Sequence, residues 1–198
     1  MLVFLLIVFG AIGAVIFWAV GTYNGLVTAR NGYKNGFAQI DVQLTRRYDL
    51  IPNLVETAKA YMAHEKDTLD AVTRARGAAV AGLGAAKSSP GDPAVMAELS
   101  NADGQLSGAL SRLMVTVEAY PDLKASANMQ QLSEELASTE NRVAFARQAF
   151  NDAVMAYNNR REVFPASMVA GQYNFAPAAL LEIAAEDAQK RDAPRIQF

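Results

Sequence analysis

The chain has 198 residues, with 18 Lys and Arg against 20 Asp and Glu, no cysteine and a single histidine, His64. A net charge of -2 supplies no large basic field for nucleic acid, so no nucleic-acid partner is expected. The absence of cysteine excludes disulfides, thiolate metal sites and thiol nucleophiles, and one histidine excludes a multi-histidine metal site within one chain.

Residues 1–20 carry no charge, and the first charged side chain is Arg30. A helix of about 20 residues rises about 30 Å, the thickness of the hydrocarbon core of a bilayer. It satisfies its own backbone hydrogen bonds there. A cleavable secretory signal would need a basic N-terminal region and an Ala-x-Ala-like site after a shorter apolar core. No Lys or Arg precedes the run, and it ends at Trp18 and Tyr23, residues that favour the membrane–water interface. Residues 1–22 therefore read as a retained, single-pass transmembrane anchor, with the lipid bilayer as first partner. Arg30, Lys34, Arg46 and Arg47 follow the span and nothing basic precedes it. The positive-inside tendency thus points the body of the chain to the cytoplasm, the periplasm being the alternative.

Gly21, Gly25, Ala29, Gly32 and Gly36 follow in steps of four, four, three and four, close to one helix face. Small-xxx-small spacing lets helix backbones approach closely, which makes this a candidate packing or oligomer face. The opposed reading is a hinge, since Asn24-Gly25, Asn31-Gly32 and Asn35-Gly36 are also turn signals.

Residues 37–76 carry a long helical pattern. Phe37, Ile40, Leu44, Ile51, Leu54, Ala58, Tyr61 and Val72 keep one heptad seam, with Tyr48, Val55, Met62 and Leu69 as a second stripe. The apolar face is wide, as in a bundle. Arg47 and Glu65 stand on the seam and need partners if buried. Pro52 interrupts the run, and the seam keeps its phase across it, so one kinked helix is expected. Residues 77–91, rich in Ala, Gly and Ser, read as a loop.

Asp92-Pro93 opens the next helix, with an acid at the N-cap and proline at the first helical position. Met96, Leu99, Leu106, Leu110, Leu113, Val117 and Tyr120 keep phase, broken only at Asp103, and Tyr120-Pro121 ends it. A further start at Ser126 leads into Leu132, Leu136, Thr139, Val143, Ala146, Phe150, Ala153 and Tyr157. Phe164-Pro165 closes this helix. A short helix follows at residues 166–170, then a loop, a marginal helix at residues 178–190 and a tail from Asp192.

No stretch alternates as strands do. The expectation is an all-α protein: an N-terminal transmembrane helix, then an elongated antiparallel bundle of three long helices plus short C-terminal ones. Residues 1–22 form the anchor, 23–173 the bundle, and 174–198 a short C-terminal segment and tail.

Candidate chemistry is sparse. His64-Glu65 opens like a zinc protease helix, but Thr68 stands where the second histidine must be. The Gly82 to Ser88 stretch lacks the glycine before Lys87 that a phosphate loop requires, and no strand precedes it. Asp41, Asp49, Glu56, Glu65 and Asp70 fit a solvated helix face, Asp70 pairing with Arg74 four residues on. No catalytic, metal or cofactor residues are assigned, and no cofactor is expected. The more informative polar set is Arg47, Asn53, Glu65, Glu140, Asn141, Asn151 and Asn158. Asparagine is a poor helix former. Its recurrence points to a hydrogen-bond network that fixes helix register or to a partner surface.

Tyr23-Asn-Gly-Leu-Val, Ile40-Asp-Val-Gln-Leu-Thr-Arg-Arg-Tyr-Asp-Leu-Ile-Pro-Asn-Leu-Val and Tyr61-Met-Ala-His-Glu resemble the LemA family of bacterial membrane proteins. Glu140-Asn-Arg-Val-Ala-Phe-Ala-Arg-Gln-Ala-Phe-Asn-Asp, Tyr157-Asn and Phe164-Pro continue the likeness to about Tyr173. Phe150 stands where the family's Tyr-Asn pair would have tyrosine. The resemblance implies a short anchor in the bacterial inner membrane followed by a helical bundle. No reaction is established for the family as a whole. Its members are linked to membrane assemblies, one branch to magnetosome membrane formation. The expected role is a non-enzymatic, homo-oligomeric scaffold holding a membrane protein partner. The alternative is an accessory subunit of an envelope enzyme such as a membrane protease, or a membrane-remodelling factor.

Overall fold

A computed structural model describes residues 1–182. Its helices are α1 (Leu2–Lys59), α2 (Lys66–Ser88), α3 (Pro93–Val117), α4 (Pro121–Lys124), α5 (Ala127–Glu162) and α6 (Ala166–Gln172). No strand occurs among the described residues. The fold is all-α with one long apolar helix at its N-terminus.

That helix does two jobs along its length. Residues 1–18 are exposed on every face, and α1 is the one described helix long and apolar enough to cross a membrane. Burial begins at Leu26 and continues through Tyr33, Phe37, Ile40, Leu44, Tyr48, Ile51, Leu54 and Ala58. This is the stripe expected of a helix facing a core. The helix runs unbroken through Gly21 to Gly36, so the glycines there make no turn.

Pro52 also lies inside α1. Proline has no N–H, which leaves the carbonyl four residues earlier without its helical donor. That carbonyl belongs to Tyr48, and the Arg76 Nε of α2 donates to it at 2.6 Å. The neighbouring helix thus supplies the hydrogen bond that the proline withdraws. Arg76→Ala is expected to cost about 1–3 kcal/mol, the penalty for an unmade buried bond. In a Pro52→Ala background, where an N–H returns to that carbonyl, the cost should shrink. A double-mutant cycle by chemical denaturation checks the coupling.

Two sequence expectations in the middle of the chain are corrected. The pattern over residues 37–76 does not form one helix: the chain turns back at residues 60–65. Lys59, His64, Glu65, Lys66 and Asp67 leave Met62 as the deeply buried side chain there. Folding back lets the two halves of the seam bury each other. Residues 77–91 are helical as far as Ser88, and the true loop shrinks to residues 89–92. The small residues that read as a loop instead permit close packing. A Cβ built on Gly82 would lie 3.4 Å from the Leu99 Cα. The body consequently has four long helical segments where three were expected.

Helix α3 starts as anticipated, with Asp92 Oδ1 accepting from the Ala94 and Val95 N–H groups at 3.0 and 3.1 Å. Helix α1 is the centre of the bundle. Helix α5 packs on one flank and α2 on the other, and α3 packs on α2. The α1–α5 pair is antiparallel, with Gly25 against Arg160 and Gly36 against Phe150. So is α1–α2, with Asp41 bonded to Lys87 at 2.7 Å and Tyr48 to Arg76. Tyr33, Phe37, Phe150 and Tyr157 fill the α1–α5 seam at ring separations of 5.2 to 6.3 Å, near the preferred edge-on range.

The expected helix at residues 166–170 is α6. Residues 175–182 are not helical, so the marginal helix expected at residues 178–190 is absent from its described part, 178–182. The rest of that stretch and the tail from Asp192 lie outside the described residues.

Candidate functional site

Five of the seven singled-out polar residues fall into three separate places. The first is a polar break in the apolar seam. Arg47 on α1 is buried, and its Nη1 donates to both oxygens of Asp103 on α3 at 3.1 and 3.3 Å. Its Nη2 donates to the Ser107 hydroxyl at 3.0 Å, and the Tyr48 hydroxyl donates to Asp103 Oδ1 at 3.1 Å. Arg47 Nε has no hydrogen-bond partner among the described residues. Burial, then the Asp103 charge and the bond to it, push the Tyr48 phenol far above its ordinary value of 10.0, with Arg47 opposing.

Arg47 forms part of the floor of a groove of about 450 Å³ between α3 and α5. Ser107, Ser111 and Met114 line one wall, and Ser133, Leu136 and Glu140 the other. With its Nη groups tied to Asp103 and Ser107, Arg47 bridges α1 and α3. Nothing in the groove pairs an acid with a base for proton transfer. No group of three or more metal-ligating side chains occurs among the described residues.

The second place is the far end of the bundle, where the Tyr120 hydroxyl donates to Glu65 Oε1 at 3.2 Å. Both seam charges therefore meet partners contributed by the α3 end of the chain.

The third place is a strap. Asn151 and Asn158, seven residues apart, share a face of α5. The Asn158 Nδ2 donates to the Ala178 carbonyl at 2.8 Å, and the Ala178 N–H returns a bond to Oδ1 at 3.0 Å. Asn151 repeats this with Leu181 at 3.2 and 2.9 Å. Two side-chain amides thus satisfy backbone groups of residues 175–182, which pair with no strand among the described residues. The Tyr157 hydroxyl donates to the Ala176 carbonyl at 2.7 Å, and the Ser100 hydroxyl to that of Glu182 at 2.6 Å. Across the strap, the Ala179 N–H donates to the Gly91 carbonyl at 2.8 Å. Phe175, Ala178 and Leu181 are buried beneath it. Gly91 has φ +86°, and a Cβ there would come within 3.1 Å of both Ala178 and Tyr33. Glycine is therefore the residue that lets the α2–α3 loop, the strap and α1 meet.

Asn53, Glu140 and Asn141 are exposed, Glu140 on the groove wall. The small-residue stripe divides. Gly25 accommodates the Arg160 guanidinium and Gly36 the Phe150 backbone, so these two serve packing within the chain. Gly21 and Gly32 have open space above them, and Ala29 is half-buried. Asp103, Tyr120, Tyr157 and Gly91 were absent from the polar set. Asp103 alone left a signal, as the interruption in the α3 seam.

The amino-acid sequence matches a model described as LemA family over residues 36–198, continuing past Tyr173 through the strap. Magnetosome protein MamQ of Magnetospirillum gryphiswaldense is 28% identical over 151 residues, 69% of this chain and 56% of that protein. Protein LemA of Metamycoplasma hominis is 26% identical over 179 residues, 90% of this chain and 77% of that protein. Magnetosome protein MamQ 2 of Paramagnetospirillum magneticum is 28% identical over 154 residues, again 69% and 56%. The chain thus spans just over half the length of these magnetosome relatives.

Proposed function

The chain belongs to the LemA family, a membrane-associated protein by its apolar N-terminal helix and its relatives, and we propose that it is a non-enzymatic scaffold that self-associates and holds partner proteins at the bacterial inner membrane. The observation that carries this reading is the continuity of α1. One helix is fully exposed and apolar over its first turns and then becomes the central helix of the bundle. Tether and body share a backbone, so the bundle stands off the membrane as a rod. From Tyr23 to Lys59 that rod measures roughly 54 Å at 1.5 Å per residue.

Self-association is supported by the open glycines of α1. Gly10, Gly13 and Gly21 of the anchor have nothing within 4 Å among the described residues, and close helix–helix approach in lipid favours such positions; Gly32 is open in the same way on the body. The magnetosome relatives are named for a structure and not for a reaction, which supports a role in assembly. A cytoplasmic bundle is supported by Arg160 and Arg161, which α5 returns to the anchor end of the body, Arg160 against Gly25.

Chain purified from native membranes in mild detergent is expected to run as a homomer in mass photometry, with matching crosslinks. A strict monomer would remove the self-association. One stoichiometric enzyme partner would turn the reading toward an accessory subunit. Protease access in intact spheroplasts tests the side, digestion of the bundle there contradicting a cytoplasmic placement.

A further inference from the structure

Most exposed apolar side chains on the bundle stand singly, as is ordinary for a protein surface. The corner joining α5 to α6 is different. Val163 is 61% exposed, Phe164 76%, Met168 67% and Tyr173 59%. No charged residue occurs from 163 to 181. Large apolar groups held in water in one place mark an interaction surface.

The fold places this corner at a definite height. Helix α5 runs antiparallel to α1, with Phe150 at Gly36 and Arg160 at Gly25. Continuing that register brings Val163 and Phe164 level with about residue 21 or 22 of α1. Tyr173 returns to the same level, its ring 5.0 Å from that of Tyr23. Residues 20–23 are where the apolar span meets water, between Trp18 and Tyr23. The corner therefore lies beside the membrane surface, continuous with the anchor.

We propose that the α5–α6 corner is a second membrane contact, inserting Phe164 and Met168 into the interfacial layer beside the transmembrane helix. Its charges fit that occupant. Arg160 and Arg161 close α5, and Arg30 lies 5.0 Å over the Phe175 ring, all at this end. Such side chains reach lipid phosphates while their stems cover apolar surface. The one acid among them, Glu162, is paired with Arg161 at 2.9 Å. Two contacts beside each other fix the tilt of the rod, which a single helix free to tilt in the bilayer cannot do. The proposal rests on the anchor reading above.

The absence of cysteine makes single-site labelling clean. Phe164→Cys, Met168→Cys, Phe9→Cys and Val115→Cys each carry an environment-sensitive fluorophore, in full chain reconstituted into phosphatidylcholine–phosphatidylglycerol vesicles. Lipids with spin labels at defined depths serve as quenchers. Labels at 164 and 168 are expected to shift to the blue and lose intensity several-fold to shallow quenchers. The label at 115, at the far end of the rod, should be unaffected. Quenching at 9 by deep quenchers, with 164 behaving like 115, overturns the proposal and leaves the anchor standing. No quenching at 9 overturns the anchor, and the proposal with it. A shift at 164 that vanishes on diluting protein in lipid assigns the corner to a second copy and also overturns it.

Discussion

Asp103→Ala is expected to destabilise the bundle by about 3–5 kcal/mol, the loss seen when one member of a buried ion pair is removed. An exposed pair would be worth about 0–1 kcal/mol. Burial decides between the two. The Arg47 side chain is 5% exposed and that of Asp103 19%. Removing the carboxylate leaves a buried guanidinium with the Ser107 hydroxyl as its remaining acceptor, and takes away the acceptor of the Tyr48 hydroxyl. Arg47→Met should cost less, because Asp103 keeps the Tyr48 bond and has more access to water. The joint Arg47→Met, Asp103→Leu variant should recover most of the loss, since apolar replacement of a buried pair is commonly neutral or better. Urea unfolding of the full chain in detergent, followed by helical circular dichroism, measures all three. A cost below about 1 kcal/mol for Asp103→Ala would show the pair acting as a surface contact.

The same site sets an alkaline limit. The Tyr48 phenol is raised from 10.0, chiefly by burial and then by Asp103. A raised value means the folded state holds the proton more tightly than the unfolded chain. The stabilisation is complete below pH 10 and is lost as pH climbs above it. Tyr33 and Tyr157 are raised mainly by burial and add to the same slope. Tyr48→Phe should therefore flatten the decline in stability above pH 10 without abolishing it.

How far these features can be read from sequence depends on the range of the interaction. Helix faces are local, and the buried residues of α1, α3 and α5 follow their apolar periods closely. The need for partners at Arg47 and Glu65 is local too, and so is the break at Asp103. Joining Arg47 to Asp103 is not, because it requires α1 and α3 to lie in register. That register is set by the reversal at residues 60–65 and by α2 extending to Ser88. The small residues at 77–88 were ambiguous in principle. Glycine loosens an isolated helix while alanine favours one, yet both let packed helices approach, and Leu99 against Gly82 decides for packing. Pro52 was readable as internal from the seam, whereas its rescue by Arg76 depends on tertiary contact. The asparagines share a composition signal but not a cause. Asn53 and Asn141 face solvent, and Asn151 and Asn158 grip a segment with no period of its own.

That grip leads to the second large effect. Asn151→Ala with Asn158→Ala removes four hydrogen bonds to the strap. At about 1 kcal/mol each, part of it regained from water, the pair should cost about 2–4 kcal/mol. The loss should be local first. Residues 175–182 have no strand beside them among the described residues, so without the amides their remaining hydrogen bonds there are to Tyr157, Ser100, Gly91 and the Ala170 carbonyl, with three buried side chains besides. Hydrogen exchange is expected to quicken at Ala178 and Leu181, whose N–H groups the asparagines accept, while Leu44 and Leu54 in the core keep their protection. Asn158→Asp gives a sharper test than alanine. Its carboxylate still accepts from the Ala178 N–H but faces the Ala178 carbonyl without a donor, so it should restore protection at that N–H only in part. Unchanged exchange at Ala178 and Leu181 in the double alanine variant would mean that the other bonds and the packing of Phe175, Ala178 and Leu181 hold the strap without the asparagines.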